Sequence, residues 1–205
     1  MATPLLFSTI PFMKTPKTLV IVTHPNIDKS SVNKRWLQEL EKKRDIVTIH
    51  QLHKQYPDNT IDVAAEQQLL LSHDNIVFQF PFYWFSTPPL LKKWLDDVLA
   101  RGFAYGSGET DRKLTGKRIG LAISTGIKAI DYDKNGRYVS TLEELVRPLQ
   151  LTIKYVSAEP LPIFAFHGAE YKYSAEELEL SAAQYQQYIK QIASKSYDAA
   201  SVATV

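Results

Sequence analysis

The chain has 205 residues, of which 44% are hydrophobic and 22% are charged, with a formal net charge of +2 and no cysteine. The near-neutral charge argues against a nucleic-acid partner, and the lack of cysteine excludes disulfides, thiolate metal ligands and cysteine nucleophiles. No apolar run approaches the roughly 20 residues of a membrane-spanning helix. We therefore expect a cytoplasmic protein with one well-cored domain.

The chain is predicted to form one domain with two short flanking segments. Residues 1–14 contain Pro4 and Pro11 and lack a basic region ahead of their apolar residues, so we expect a poorly ordered N-terminal extension rather than a secretory signal. No linker rich in glycine, serine or proline interrupts residues 15–195, which are predicted to form the domain. Residues 196–205 are predicted to be a C-terminal tail.

Apolar runs of strand length alternate with helical patterns along this domain. Strands are predicted over residues 18–23, 46–51, 76–80, 117–124 and 151–157, and helices over residues 32–43, 62–72, from Pro88 or Pro89 onward, 141–150 and 174–194. The alternation predicts an α/β fold, with a doubly wound five-stranded parallel sheet in the order 2-1-3-4-5 and helices on both faces. Such a sheet binds ligands beyond the carboxyl ends of strands 1, 3 and 4.

Polar residues mark the starts of three predicted helices. Asp62 and Ser174 are the expected N-caps of the second and last helices. Ser86 or Thr87 is the expected cap of the third helix, whose first turn contains proline.

The loop after the first strand, THPNIDKSSVNK, combines polar donors with a helix N-terminus. Such a position can bind an anion, although ordinary capping by a serine is the simpler interpretation of this loop alone. A Rossmann or P-loop glycine motif is absent. The candidate donors are His24, Ser30, Ser31 and Asn33, with Lys29, Lys34 and Arg35 as nearby positive charges.

The loop after the third strand, PFYWFST, is a run of aromatic residues at positions 82–85 that begins after Pro81. Proline cannot donate to a sheet, so the strand should stop there. The four aromatics follow neither helix nor strand periodicity, although packing in the core would also account for them. At the end of a central parallel strand they suit a flat, conjugated ligand.

The loop after the fourth strand, STGIKAIDYDKNGRY, completes the predicted site. Gly126 permits a close backbone approach, and Tyr132 and Tyr138 offer phenol donors unless they simply cover the surface. His50 and His53 are interpreted as surface histidines because no carboxylate or cysteine completes a metal set, and we predict no metal site. The segment 160–173 is expected either to close over the substrate site or to pack as a loop.

The three loops together resemble the flavodoxin-like NAD(P)H:quinone oxidoreductases, the DT-diaphorase group with its bacterial relatives, which include ancillary subunits of Kef-type potassium-efflux systems. The resemblance runs from about residue 17 to residue 192. Its most specific block is FQFPFYWFSTPPLLKKWLDDVLARGFAYG, and HPNIDKSSVNKR and LTGKRIGLAISTG also match.

The resemblance implies a flavin site made from the three loops. The flavin would be FMN, with FAD as the alternative. Phosphate and ribityl contacts are implied for His24, Ser30, Ser31 and Asn33; contacts to the isoalloxazine edge for Pro81, Phe82, Tyr83, Trp84 and Phe85; and contacts to the pyrimidine side for Ser124, Thr125 and Gly126. Tyr132 matches the active-site tyrosine, with Gly126 and Tyr138 as further catalytic positions. Ile127 and Tyr138 depart from the family pattern, which has a glycine and a histidine there.

The implied activity is a two-electron, ping-pong hydride transfer from NADPH or NADH through flavin N5 to a quinone-like acceptor. A homodimer is also implied, with the third predicted helix at the interface; the apolar stripe of that helix equally suits burial against the sheet. The stripe consists of Leu90, Leu91, Trp94, Leu95, Val98 and Leu99. One alternative is a flavin-binding regulatory subunit with a membrane transporter as its partner, and another is a flavodoxin-type electron carrier.

Overall fold

A computed structural model describes residues 17–108 and 110–194 of the chain. Five strands form one parallel sheet in the order β2-β1-β3-β4-β5, which confirms the predicted fold class and strand order. The strands are β1 Thr18–Val22, β2 Val47–Gln51, β3 Asn75–Pro81, β4 Arg118–Ser124 and β5 Glu159–Phe166. The predicted extension over residues 1–14 lies outside the described residues, and so does the tail over residues 196–205, so both stay predictions.

Seven α-helices occur in the described part of the chain, together with two short 3-10 helices. The α-helices are α1 Ser31–Glu41, α2 Leu52–Gln55, α3 Val63–Leu71, α4 Pro89–Val98, α5 Leu142–Leu145, α6 Arg147–Tyr155 and α7 Ala175–Ala193. The 3-10 helices are Ile27–Lys29 and Ala129–Tyr132, and each lies in a loop at the carboxyl edge of the sheet. Within the described residues, no helix is both long enough and apolar enough to cross a membrane.

The sheet is buried on both faces because successive side chains of a strand point in opposite directions. Leu19 and Ile21 of β1 belong to the apolar cluster beneath α3, α4 and α6. Val20 and Val22 belong to the second cluster, which α1 and α7 cover. This double burial explains why β1 has five apolar or β-branched residues in sequence, all of them buried.

The predicted fifth strand, residues 151–157, is wrong because α6 continues to Tyr155 and β5 begins only at Glu159. The sequence LTIKYVS alternates as a strand would, but Ile153 and Val156 are buried at helical spacing while Tyr155 is exposed. The predicted helix over residues 141–150 is likewise two helices that meet at Val146. The true strand contains Pro160 and Pro162, which the sheet tolerates because β5 is an edge strand.

The structure confirms two predicted caps and contradicts the third. The side chains of Asp62 and Ser174 accept hydrogen bonds from the backbone N–H groups of Ala65 and Glu177, at 3.0 and 3.1 Å. At α4 the N-cap is Pro88, with no side-chain cap, because Ser86 closes a turn in which its N–H donates to the Tyr83 carbonyl at 2.9 Å. Strand β3 also runs one residue further than predicted, through Pro81.

Candidate active site

The three loops meet because β1, β3 and β4 are adjacent and parallel, so their carboxyl ends lie at one edge of the sheet. Backbone hydrogen bonds continue past the strand ends and fix the loops to one another. The N–H of Thr23 donates to the Gln79 carbonyl, and the N–H of Phe82 donates to the Ser124 carbonyl, both at 2.8 Å. The starts of the three loops are therefore held by the sheet.

Two adjoining clefts occupy this edge. The first, of about 200 Å³, lies at the N-terminus of α1 and is called the helix-end cleft. The second, of about 410 Å³, is called the aromatic cleft. They share Phe82, Tyr83, Gly126 and Glu170, so they form one continuous groove.

The groove brings together nearly all of the residues that the sequence predicted. Those in the helix-end cleft are His24, Ser30, Ser31, Asn33, Pro81, Phe82, Tyr83, Ser124 and Gly126. Those in the aromatic cleft are Phe82, Tyr83, Trp84, Phe85, Gly126, Tyr132 and Tyr138. Thr125 lines neither cleft because it is fully buried between Ser124 and Gly126.

Ser30 caps α1, as ordinary capping predicts: its Oγ accepts the Asn33 N–H at 3.1 Å. Asn33 is buried at the floor of the cleft, where its side-chain amide donates to Ser124 Oγ at 2.7 Å. The Gln79 amide donates in turn to the Asn33 carbonyl at 3.1 Å. Asn33 therefore ties α1 to the end of β4 and keeps the first turn of the helix at the cleft.

His24 and Lys29 supply the polar groups beside this helix end. His24 Nδ1 accepts the Asn26 N–H at 3.1 Å, so neutral His24 carries its proton on Nε2. Burial, followed by the nearby His53, lowers the pKa of His24. Of the other predicted cations, Lys34 pairs with Asp28 at 3.7 Å and Arg35 with Glu179 at 2.6 Å, and neither lines the helix-end cleft.

The aromatic cleft is bordered by a tight turn in left-handed backbone. Trp84 and Phe85 have φ values of 51° and 59°, which non-glycine residues rarely adopt and which concentrate at functional sites. The turn exposes 92% of the Trp84 side chain. Phe85 instead packs edge-on against Phe82 and Tyr138, with ring centroids 6.3 and 5.1 Å apart.

Tyr132 also lines the aromatic cleft, at the end of the 3-10 helix Ala129–Tyr132, and only 7% of it is exposed. Its ring lies 6.3 Å from that of Tyr138 and 5.4 Å from that of His167. Burial raises the pKa of the Tyr132 hydroxyl, which therefore stays protonated near neutral pH and can donate a hydrogen bond.

Two residues after β5 belong to the site but were not predicted as site residues. Glu170 lines both clefts, and a Cβ at Gly126 would come within 2.6 Å of the Glu170 carboxyl carbon. Gly126 therefore leaves room for the Glu170 side chain beside the loop after β4. His167 contacts the Tyr132 ring and the Thr125 hydroxyl. Glu170 and His167 both lie in the segment 160–173, which was expected to close over the substrate site or to pack as a loop; its residues up to Phe166 form β5 instead, and Ala169, Glu170 and Tyr173 line the helix-end cleft.

Among residues 17–108 and 110–194, no group of three or more His, Asp or Glu side chains is placed to hold a metal ion. The interpretation of His50 as a surface histidine is wrong. The His50 side chain is only 15% exposed, and its Nε2 donates to the buried Glu66 carboxylate at 2.7 Å.

Curated relatives match nearly the whole domain. The chain is 50% identical over 174 residues to "Uncharacterized NAD(P)H oxidoreductase YrkL" of Bacillus subtilis, covering 85% of this chain and 98% of that protein. It is 44% identical over 140 residues to the glutathione-regulated potassium-efflux system ancillary protein KefG of Yersinia pestis, covering 68% and 75%.

Solved structures match as well. General stress protein 14 of Treponema denticola, in complex with FMN, is 45% identical, with a TM-score of 0.79 and coverage of 85% of this chain and 98% of that one. An NADPH-quinone reductase from P. pentosaceus is 33% identical, with a TM-score of 0.75 and coverage of 84% and 97%. Residues 16–189 match the model of the Flavodoxin_2 family, described as a flavodoxin-like fold. Fold, strand order and sequence agree, and the chain belongs to the Flavodoxin_2 family.

Proposed function

We propose that this chain is an FMN-dependent oxidoreductase that transfers a hydride from NAD(P)H to a quinone-like acceptor. The observation that carries the proposal is the continuous groove, which has a helix N-terminus at one end and an aromatic wall at the other. Relatives named NAD(P)H oxidoreductase and NADPH-quinone reductase, and the FMN complex of general stress protein 14, support the activity and the cofactor.

The chemistry of the groove fits FMN. The N-terminus of α1, the hydroxyls of Ser30 and Ser31, and the Nε2–H of His24 are donors suited to a phosphate. The aromatic cleft suits a flat ring system, because Phe82, Phe85 and Tyr132 all line it. The volumes of 200 and 410 Å³ lie in the range of small-molecule sites when taken together. The FMN complex of a relative favours FMN over FAD.

Bound FMN would supply the hydride-transfer chemistry, and the protein would supply position and electrostatics. Ser30, Ser31 and His24 would hold the phosphate. The Tyr132 hydroxyl and the backbone N–H groups near Gly126 would stabilise negative charge in the aromatic cleft, as donors do in an oxyanion site. The aromatic turn would limit the access of water to the cleft.

An absorption spectrum of the purified protein, followed by anaerobic addition of NADPH and then a benzoquinone, tests the proposal. A flavin spectrum that bleaches with NADPH and recovers with quinone is the expected result. A protein that binds neither FMN nor FAD on reconstitution would overturn it.

A homodimer is the second part of the proposal, but the apolar stripe of α4 does not support it. Leu90, Leu91, Trp94, Leu95 and Val98 are all buried within the single chain. The support comes instead from an exposed groove of about 400 Å³ between α4 and α6, beside the 92%-exposed Trp84. Exposed apolar surface of this kind marks interaction sites, and Phe82 and Phe85 line both this groove and the aromatic cleft.

A regulatory subunit of a membrane transporter is the alternative function, and the 44% identity to KefG favours it. In both cases the expected location is the cytoplasm, where NAD(P)H is available. A bound flavin that neither NADPH nor NADH reduces, together with co-purification of a transporter from membranes, would support the regulatory function over the enzyme.

A further inference from the structure

Glu170 is held at the junction of the two clefts. The N–H of Ala169 donates to the Thr125 carbonyl at 2.8 Å, and the N–H of Glu170 donates to the Gly126 carbonyl at 3.4 Å. The Glu170 side chain lies over Gly126, where an added Cβ would be 2.6 Å from the carboxyl carbon. The backbone therefore fixes the position from which this carboxylate reaches both clefts.

Within the described part of the chain, Glu170 is the only charged residue that lines the aromatic cleft, and most of the other lining side chains are aromatic. The helix-end cleft differs, because Lys29 lines it beside the N-terminus of α1. The charges of the groove are therefore separated. A cation and a helix N-terminus lie at one end, and the other end has a carboxylate alone.

Glu170 has no cationic partner and no side-chain hydrogen bond among the residues that the structure describes. Two cations of the neighbouring loops lie over aromatic rings instead. Arg137 Cζ is 5.6 Å from the centre of the Tyr138 ring, and Lys128 Nζ is 4.8 Å from the centre of the Tyr171 ring. Neither cation lines the aromatic cleft, so the negative charge of Glu170 is not neutralised there.

The charge of Glu170 acts on two phenols of the aromatic cleft. Burial raises the pKa of Tyr83, and the Glu170 carboxylate raises it further. Burial is also the main cause of the raised pKa of Tyr132, and Glu170 is among the groups that add to it. Because a phenolate is an anion, both effects mean that the carboxylate disfavours negative charge in the cleft.

Aromatic rings and a carboxylate both attract a cation. Rings attract positive charge over their faces, and cages of such rings recognise quaternary ammonium groups. The carboxylate adds a Coulomb attraction for a cation and repels an anion. A flat cationic ligand therefore suits both features of the cleft, a neutral one suits the rings, and an anionic one is repelled.

We propose that Glu170 is a specificity-determining residue, which makes the aromatic cleft select cationic and neutral flat electron acceptors over anionic ones. The inference rests on the proposed function for the reduction of the acceptor. The charge preference itself is a property of the cleft, and it can be measured as binding alone.

Three anthraquinones that differ in a single substituent test this preference. The trimethylammoniomethyl, hydroxymethyl and sulfonate compounds are cationic, neutral and anionic, and equilibrium dialysis against the oxidised FMN-loaded protein, without NAD(P)H, gives their dissociation constants. At low salt the sulfonate should bind about tenfold more weakly than the cationic compound, and salt should reduce the difference, because Glu170 is exposed and its charge is screened. Equal dissociation constants, or tighter binding of the sulfonate, would overturn the proposal.

Glu170→Gln removes the charge at nearly constant size. The ratio of the sulfonate to the cationic dissociation constant should fall from about ten to about three or less. Glu159→Gln is the matched control, because Glu159 is exposed at the start of β5 whereas Glu170 follows the end of that strand, and the ratio should stay at about ten. An unchanged ratio in Glu170→Gln, or the same fall in Glu159→Gln, would contradict the proposal.

Turnover separates this inference from the proposed function. With NADPH as donor, Glu170→Gln should lower kcat/KM for the cationic acceptor relative to the sulfonate by the same factor, through KM. A change confined to kcat would contradict a role in acceptor binding. Absence of flavin reduction in the unmodified protein would count against the proposed function, while the dissociation constants would still decide the charge preference. For a protein that binds no flavin, they are measured in phosphate buffer, because phosphate competes with the sulfonate for the helix-end cleft.

Discussion

At the level of single residues, Tyr132 is the donor expected to stabilise charge in the aromatic cleft. It is 7% exposed, and burial raises the pKa of its hydroxyl, so it remains a donor across the neutral range. Tyr132→Phe should therefore bind FMN normally but slow hydride transfer by about 10²-fold, the usual effect of losing one such donor. Stopped-flow reduction by NADPH measures the rate.

Tyr171→Phe is the matched control for that substitution. Tyr171 is half exposed, and within the described part of the chain its ring interacts only with the Lys128 ammonium group above it. Its reduction rate should equal that of the unmodified protein. A Tyr132→Phe rate equal to that of the control would remove Tyr132 from the mechanism.

Glu66 lies outside the groove and is buried, and its carboxylate accepts hydrogen bonds from three side chains. It accepts from the Tyr56 hydroxyl at 2.6 Å, and from Trp94 Nε1 and His50 Nε2 at 2.7 Å each. Burial alone would raise the pKa of Glu66, but the hydrogen bonds from His50 and Tyr56 outweigh it and lower the pKa. The carboxylate thus joins α3, α4 and β2.

Glu66→Gln should lower the free energy of unfolding by about 3 kcal/mol at neutral pH. The NH₂ group of glutamine is itself a donor and would face the side-chain donors that the carboxylate accepts from. Since the folded-state pKa lies below the unfolded value, the stabilisation is present above the usual pKa of 4.5 and is lost as the pH falls through the folded-state value. Urea denaturation should show that the difference in unfolding free energy between the unmodified protein and Glu66→Gln narrows below that pH.

Glu41→Gln provides the comparison, because Glu41 pairs with Arg44 only at 3.8 Å on the surface. Its effect should be under about 0.5 kcal/mol. If the difference in unfolding free energy between the unmodified protein and Glu66→Gln stayed constant until the Glu66 carboxyl is fully protonated, the lowered pKa of Glu66 would be contradicted.

At the level of secondary structure, α7 depends on a complete capping box. Ser174 Oγ accepts the Glu177 N–H at 3.1 Å, and the Glu177 carboxylate accepts the Ser174 N–H at 2.6 Å. Ser174→Ala should cost about 1 kcal/mol of unfolding free energy. Chemical denaturation measures the free energy of unfolding. Ser107→Ala, at an exposed loop position, is the control and should leave that free energy unchanged. Equal effects of the two substitutions would show that the cap contributes little.

At the level of the whole molecule, the exposed Trp84 and the groove between α4 and α6 predict a homodimer. Trp84→Ala removes the most exposed large aromatic side chain of the described residues and should raise the dimer dissociation constant at least about tenfold, as loss of a buried tryptophan does at interfaces. Sedimentation velocity measures the oligomeric state.

Leu180→Ala tests another exposed apolar residue, 55% of which is exposed, on α7 at the other face of the sheet, and it should leave the sedimentation unchanged. A monomer at micromolar concentration for the unmodified protein would contradict the dimer, while leaving the hydride-transfer proposal to its own spectral test.

Local sequence patterns were enough to predict four of the five strands and most of the groove. Buried runs such as TLVIV leave few choices besides a strand covered on both faces, and their alternation with helical patterns predicts a doubly wound sheet, for which 2-1-3-4-5 is a common strand order. The polar loop at Ser30 and the aromatic turn at Trp84 are local signals, because a helix cap and a broken periodicity are each visible within a few residues.

The course of the chain beyond β4 depends on tertiary packing. LTIKYVS suits a strand as well as a helix by pattern, and only its packing of Ile153 and Val156 makes it helical. With β5 displaced to Glu159–Phe166, His167 reaches Thr125 across 42 residues of sequence, and Glu170 reaches Gly126. Contacts between residues so far apart depend on strand order and register, which no local pattern of side chains encodes.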